Sequence, residues 1–200
     1  MLGGLILAGG ESRRMGGLDK PLLRLDGLPL LDHIVARLRP QAGCLALSAN
    51  GDPARFIDCG LPVLADATLG LGPLAGVLSG LDWAAAIGCD ALLTVPGDTP
   101  FIPRDLAARL LPVPAVAASD GRVHHAVALW AVSCRAALRA HLQAGGSRSV
   151  SGFARTLPMR AVAFATVPVD PFFNVNTPED LVMARSMRRA MPSPPVPPAG

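Results

Sequence analysis

Apolar residues along this chain come in short runs closed by glycine, proline or aspartate, a pattern that predicts strands alternating with helices. Leu5 to Ala8 is the first buried strand, ended by Gly9-Gly10. Pro21 to Leu25 reads as a short extended piece before the turn Asp26-Gly27. Leu30, Leu31, Ile34, Val35 and Leu38 share one face at helical spacing, and Pro40 stops that helix. Cys44 to Ala49 and Leu61 to Ala65 are the next strands. The first ends in the turn Asn50-Gly51-Asp52-Pro53 and the second at Asp66. Gly70 to Gly76 opens a helix with Pro73 at its first position and Leu74, Val77, Leu78 and Leu81 as its apolar stripe.

Ala91 to Val95 is the most strand-like run of all, and it ends in Pro96-Gly97-Asp98-Thr99-Pro100. A helix from Pro103 to Leu111 follows, then strands near Ala115–Ala118 and Ala126–Ala131 and a helix from Ser133 to Gln143. Gly145 to Thr156 reads as loop and short helix, and Arg160 to Val167 as another strand. Thr177 is an N-cap ahead of Pro178, starting a last helix to about Met187. Strands alternating with helices imply an α/β protein whose mainly parallel sheet is covered on both faces. Residues 1–190 read as a single domain. Residues 191–200, with the run Pro192 to Gly200, read as a disordered Pro-rich tail.

Composition narrows the function without naming it. Half of the 200 residues are hydrophobic and the net charge is +3, with no basic run interleaved with aromatics. That argues against a nucleic-acid surface and suits a small anionic substrate. Cys44, Cys59, Cys89 and Cys134 lie far apart, and with four scattered histidines they give no zinc spacing. The apolar N-terminus runs straight into glycines without a basic leader, and no apolar run reaches the roughly 20 residues needed to cross a bilayer. A cytoplasmic protein without membrane partners is the expectation.

The chemistry concentrates at residues 5–20. A strand running into Gly9-Gly10, Arg13-Arg14, Gly16-Gly17 and Lys20 places bare backbone and cations together, the makings of an anion nest. It is neither a Walker A loop nor Gly-x-Gly-x-x-Gly. The chain holds seventeen arginines and a single lysine, and that lysine, Lys20, closes this loop. Ligands of open α/β sheets bind at the carboxyl ends of strands, where Asn50 to Asp52, Asp66 and Asp98 also stand. Asp98 is either a magnesium ligand facing a bound phosphate or a cap on the turn that follows it.

Leu7-Ala8-Gly9-Gly10 with Arg13-Arg14-Met15-Gly16-Gly17 and Asp19-Lys20 resembles the signature of the molybdenum cofactor guanylyltransferases. The likeness continues through Asp66, Gly72 to Gly76, Asp98-Thr99-Pro100 and Phe173 to Glu179, and covers about residues 4 to 187. It implies a Rossmann-like, three-layer α/β/α sandwich. It also implies transfer of GMP from GTP to molybdopterin bearing molybdenum, with release of pyrophosphate and dependence on Mg²⁺. Leu7, Ala8, Gly9, Gly10, Lys20, Asn50, Asp66 and Asp98 would then bind the nucleotide, with Asp98 holding the metal and Arg14, Lys20 and Asp98 as the catalytic group. His124, Asn174 and Asn176 are candidates for the pterin side. The implied partners are GTP and molybdopterin, with transient contacts to proteins that make or receive the cofactor.

Two positions depart from the family pattern. Ser48-Ala49-Asn50 stands where Asn-x-Asn is usual, and His124-His125-Ala126 stands where His-Pro-Thr is usual. The alternatives are a related enzyme using CTP with molybdopterin or a sugar 1-phosphate, and a non-catalytic GTP-binding or cofactor-carrier module.

Overall fold

The run Leu2–Leu7 (β1) forms the strand around which the sheet is built. It pairs in parallel with Cys44–Ser48 (β4) on one side and with Ala91–Pro96 (β6) on the other. The computed structural model describes residues 1–9, 19–66 and 72–191. Gly10, Arg14 and the Pro-rich tail from Pro192 lie outside them.

Seven strands form one sheet in the order β5-β4-β1-β6-β8-β7-β9. Here β5 is Val63–Leu64, β7 Ala115–Ser119, β8 Arg122–Ala131 and β9 Arg160–Phe164. Four of the pairings are parallel, while β8 runs antiparallel to both β6 and β7. The mainly parallel sheet is as expected. The two strands expected near Ala115–Ala118 and Ala126–Ala131 are β7 and β8; β8 starts earlier, at Arg122, and the two form a hairpin closed by Asp120 and Gly121 at φ +46° and +72°. Two positive φ values make the primed turn whose twist suits a hairpin. A second such turn, Asp26-Gly27, joins Arg24–Leu25 (β2) to Leu28–Pro29 (β3).

Alternate side chains of each strand enter opposite layers. Leu5, Leu92, Ala128 and Trp130 pack under helices Pro73–Ala86 (α2), Arg135–Gln143 (α4) and Val150–Ala154 (α5). Ile6, Leu93, Val127 and Leu129 pack under Leu30–Leu38 (α1) and Leu106–Leu110 (α3). The result is a three-layer α/β/α sandwich. A smaller cluster of Leu25, Leu30, Phe101, Val175 and Ala184 seats the last helix, Pro178–Ala190 (α6).

Several boundaries differ from the sequence reading, and the piece read as extended from Pro21 begins instead as a 3₁₀ turn over Lys20–Leu22 with Pro21 in its first turn. α3 begins at Leu106 rather than Pro103, because residues 103 to 105 form a turn with Leu106 N–H on the Pro103 carbonyl. β9 stops at Phe164, short of Val167, because its partner β7 ends at Ser119 opposite it. Pro53–Cys59, read only as following a turn, is a 3₁₀ helix capped by Asp52, which accepts the Ala54 N–H.

Candidate active site

Three hollows open where β1, β4 and β6 end, and Pro96 lines each of them. The first, about 190 Å³, is lined by Leu7, Gly9, Ser48, Asp66 and Gly76 among others. Asp66 is held there by Asn50. The Asn50 amide donates to Asp66 Oδ2 at 2.7 Å, and the Asp66 N–H donates to Asn50 Oδ1 at 2.9 Å. Helix α2 begins at this hollow from Gly72, whose φ of +71° is a left-handed conformation that favours glycine. One turn on, a Cβ at Gly76 would lie 2.4 Å from Ser48 Oγ, so glycine permits the helix to approach the end of β4. Ser48, one of the departures from the family pattern, is thus buried against α2.

The second hollow, about 90 Å³, is lined by Leu7, Ala8, Lys20, Pro21, Gly97 and Asp98. Both of its charged groups are held by one returning segment. Lys20 Nζ donates to Asn176 Oδ1 at 2.7 Å, and Asn174 Nδ2 donates to Asp98 Oδ1 at 2.7 Å. Between them the Val175 N–H donates to the Asp98 carbonyl at 2.9 Å, and the Val175 side chain is fully buried. The segment then enters α6 through a capping box, in which Asp180 Oδ2 accepts the N–H groups of Asn176 and Thr177. Asp98 lines this hollow, and its Oδ2 makes no hydrogen bond among the described residues, which leaves that hard oxygen without a protein partner there. No group of three or more His, Cys, Asp and Glu suited to a metal gathers among the described residues. A divalent ion would therefore need oxygens from a ligand beside Asp98, the coordination magnesium commonly adopts with phosphates.

Arg55, which the sequence reading did not single out, links the first two hollows. Its guanidinium pairs with Asp19 at 3.0 Å, donates to the Asn50 carbonyl and lies over the Phe56 ring. Asp19 precedes Lys20, so one arginine braces both the lysine and the residue that holds Asp66. No pattern around Arg55 marks it among the chain's other arginines.

The third hollow, about 280 Å³, is lined by Thr99, Arg122, His124, His125, Phe172 and Asn174 among others. A bulge in β8 shapes it. Val116 pairs with Ala128 but the next residue, Ala117, pairs with His124, so residues 125 to 127 are looped out of the ladder. Thr94 on β6 holds that bulge by donating to the Ala126 carbonyl at 3.0 Å. Burial lowers the basicity of His124, against the pull of Asp170 and with the help of Arg122 and His125. Burial lowers His125 likewise, reinforced by Arg155.

The candidates therefore divide. Leu7, Ala8, Lys20 and Asp98 meet in the second hollow; Gly9 and Asp66 line the first, with Asn50 behind. His124 and Asn174 share the third, whereas Asn176 is turned to Lys20.

A family model, the MobA-like NTP transferase domain, matches residues 4–161. The chain belongs to that family. Among relatives of the MobA-like family, a molybdenum cofactor guanylyltransferase of Acidiphilium cryptum is 57% identical over 92% of this chain and 94% of its own. The protein of that name from Mesorhizobium japonicum is 49% identical over 96% of this chain and 98% of its own. In fold, the molybdopterin-guanine dinucleotide biosynthesis protein A of Archaeoglobus fulgidus superposes with a TM-score of 0.72 at 20% identity, covering 94% of this chain and all of that one. The match to the MobA-like domain takes in Lys20, Asp66, Asp98 and His124. Asn174 and Asn176 lie beyond it, on the segment that returns to hold two of those residues.

Proposed function

We propose that this chain transfers the guanylyl group of GTP to the terminal phosphate of molybdenum-bearing molybdopterin, giving the dinucleotide cofactor and pyrophosphate. The observation that carries the reading is the joint hold of Asn174 on Asp98 and Asn176 on Lys20. It fixes a carboxylate and an ammonium on the wall of one small hollow at the strand ends, where a triphosphate needs both.

An oxygen of the acceptor phosphate attacks the α-phosphorus, the bond from that phosphorus to the bridging oxygen breaks, and pyrophosphate leaves with the electron pair. The acceptor needs no general base, since a phosphate monoester is largely ionised at neutral pH. Catalysis is then chiefly positioning and charge stabilisation. The backbone at Leu7, Ala8, Gly9 and Gly10, with Arg14 and Lys20, cradles the triphosphate and offsets charge on the leaving group. Asp66, held by Asn50, lines the hollow for the base and ribose, where a carboxylate suits the N–H donors of guanine. Mg²⁺ held by Asp98 and phosphate oxygens would polarise the α-phosphate. His124, Asn174 and Asn176 belong to the acceptor side, with Asn174 reaching both the third hollow and Asp98.

Residues 1–190 act as one domain, with the tail from Pro192 dispensable, and the enzyme works in the cytoplasm. No helix among the described residues is long and apolar enough to cross a membrane. The deciding experiment offers GTP and CTP in turn with molybdenum-loaded molybdopterin and identifies the product by mass. The guanine dinucleotide is expected; a cytosine dinucleotide, or no dinucleotide from either, refutes the reading.

A further inference from the structure

Ser119, the last residue of β7, is buried at 3% exposure with two polar neighbours. Its hydroxyl oxygen lies 2.7 Å from His124 Nε2 and 3.0 Å from Asp170 Oδ1. Asp170 Oδ1 also accepts the Phe172 N–H at 3.0 Å, so it acts as an acceptor toward both. A hydroxyl has one proton to give. Given to Asp170, it leaves the Ser119 lone pair facing His124, and Nε2 must then carry the ring proton. With the ring proton on Nδ1, either Ser119 and His124 or Ser119 and Asp170 would face each other through lone pairs alone. Phe172 holds the ring from one side, its centroid 4.9 Å from that of His124. Nδ1 makes no hydrogen bond among the described residues, and His124 lines the third hollow.

We infer that Ser119 and Asp170 are positioning residues that fix His124 as its Nε2–H tautomer, so that the third hollow offers Nδ1 to a hydrogen-bond-donating group of the acceptor and not to its phosphate. The substrate half of this inference rests on reading that hollow as the acceptor side. A bare ring nitrogen repels phosphate oxygens and takes an N–H, such as those on the edge of a nitrogen heterocycle. The acceptor therefore lies with its phosphate toward Lys20 and Asp98 and its heterocycle toward His124. Asn174, which touches Asp98 and lines the third hollow, spans the two ends. The lowered basicity of His124 agrees, since it keeps the imidazole neutral at working pH.

The test has two parts. Long-range proton–nitrogen correlation spectra of the uniformly ¹⁵N-labelled chain report histidine tautomers, with His124 assigned by loss of its signals in His124→Gln. The expected spectrum has a protonated Nε2 and a bare Nδ1, turning to a tautomer mixture in Ser119→Ala. Steady-state kinetics of Ser119→Ala should raise KM for molybdenum-loaded molybdopterin about tenfold, the loss of about one hydrogen bond, with KM for GTP within about twofold. Ser119→Thr, which keeps the hydroxyl, should restore both readouts. A protonated Nδ1 in the unaltered chain, an unmoved tautomer in Ser119→Ala, or equal rises in both KM values overturns the inference. Failure of the unaltered chain to use molybdopterin would refute the functional reading and the substrate half with it. The spectra decide the tautomer without any substrate.

Discussion

At the scale of single residues, Lys20 is the position where chemistry and geometry agree most closely. The chain's one lysine is fixed at 2.7 Å to Asn176 and lines the hollow that Asp98 shares. An ammonium sits among phosphate oxygens as a compact charge, whereas a guanidinium is wide, planar and fixed in its donor directions. Lys20→Arg should therefore lower turnover at least about tenfold, since about 1 Å of misplacement can cost on the order of a hundredfold. Its melting temperature should stay within a few degrees, as the residue contributes little packing. Pyrophosphate release beside a thermal melt checks both, and unchanged turnover would mean that charge alone suffices there. Lys20 was legible in the sequence as the single lysine closing the glycine-rich loop after the first strand, and Asp98 because it follows the Ala91–Val95 run, at a strand end where α/β sheets bind ligands. The partners that hold them were not, lying 156 and 76 residues away. An Asn-Val-Asn run announces a polar loop but not which side chains it will meet.

At the scale of elements, the capping box of α6 couples helix formation to the site. Asp180 Oδ2 takes the N–H of Asn176 as well as that of Thr177, so the cap also fixes the backbone that carries Lys20's partner. Asp180→Ala should cost about 1 kcal/mol of stability as a lost cap. Turnover should fall well beyond what that unfolding explains, with most of the change in kcat. Kinetics far below the melting transition separate the two, and a variant with full kcat would detach the cap from the site. Helix α2 makes a second element-scale case. A Cβ at Gly80 would lie 2.3 Å from a methyl of fully buried Leu5, so the glycine sets how closely α2 rests on β1. Gly80→Ala should destabilise despite its better helix propensity, because overpacking costs about 1–3 kcal/mol against a gain of about 1. Urea titration reads the sign. The Thr177 cap and the Pro73 start were legible because capping is local chemistry. The β8 bulge was not, because it depends on the Thr94 side chain of another strand, whereas Asp120-Gly121 is a local hairpin signal by its residue types alone.

For the whole molecule, histidines tie stability to pH. His33 on α1 has both ring nitrogens engaged, Nε2 with the Leu25 carbonyl at 2.9 Å and Nδ1 with the Arg188 guanidinium at 3.1 Å. A carbonyl takes the Nε2–H, and the guanidinium donates to a bare Nδ1, so the neutral ring joins α1 to α6. Burial lowers its pKa from the ordinary 6.5, with Arg188 and Arg37 adding to the effect against the Leu25 carbonyl and Asp26. His124 and His125 are lowered in the same direction. The unfolded chain therefore binds protons more readily at all three. The contribution of these histidines to stability is complete well above pH 6.5 and is lost as pH falls through 6.5 toward the lowered folded values. The urea midpoint should be lower at about pH 5.5 than at about pH 7.5, and His33→Gln should lessen the difference. An equal or higher midpoint in acid would contradict this.

The central claim is that Asp98 and Lys20, held by Asn174 and Asn176, form the site of guanylyl transfer. The most direct measurement follows GTP labelled at the α-phosphorus, with molybdenum-loaded molybdopterin, across a magnesium titration in the unaltered chain and in Asp98→Asn. Asparagine keeps an oxygen for the bond from Asn174 but removes the charge that draws a divalent ion. The label should pass to molybdopterin as the guanine dinucleotide, with pyrophosphate unlabelled. Asp98→Asn should fold normally yet lose most of that transfer at every magnesium concentration. Label left in free nucleotide by the unaltered chain, or near-native transfer by Asp98→Asn at limiting magnesium, would contradict the account.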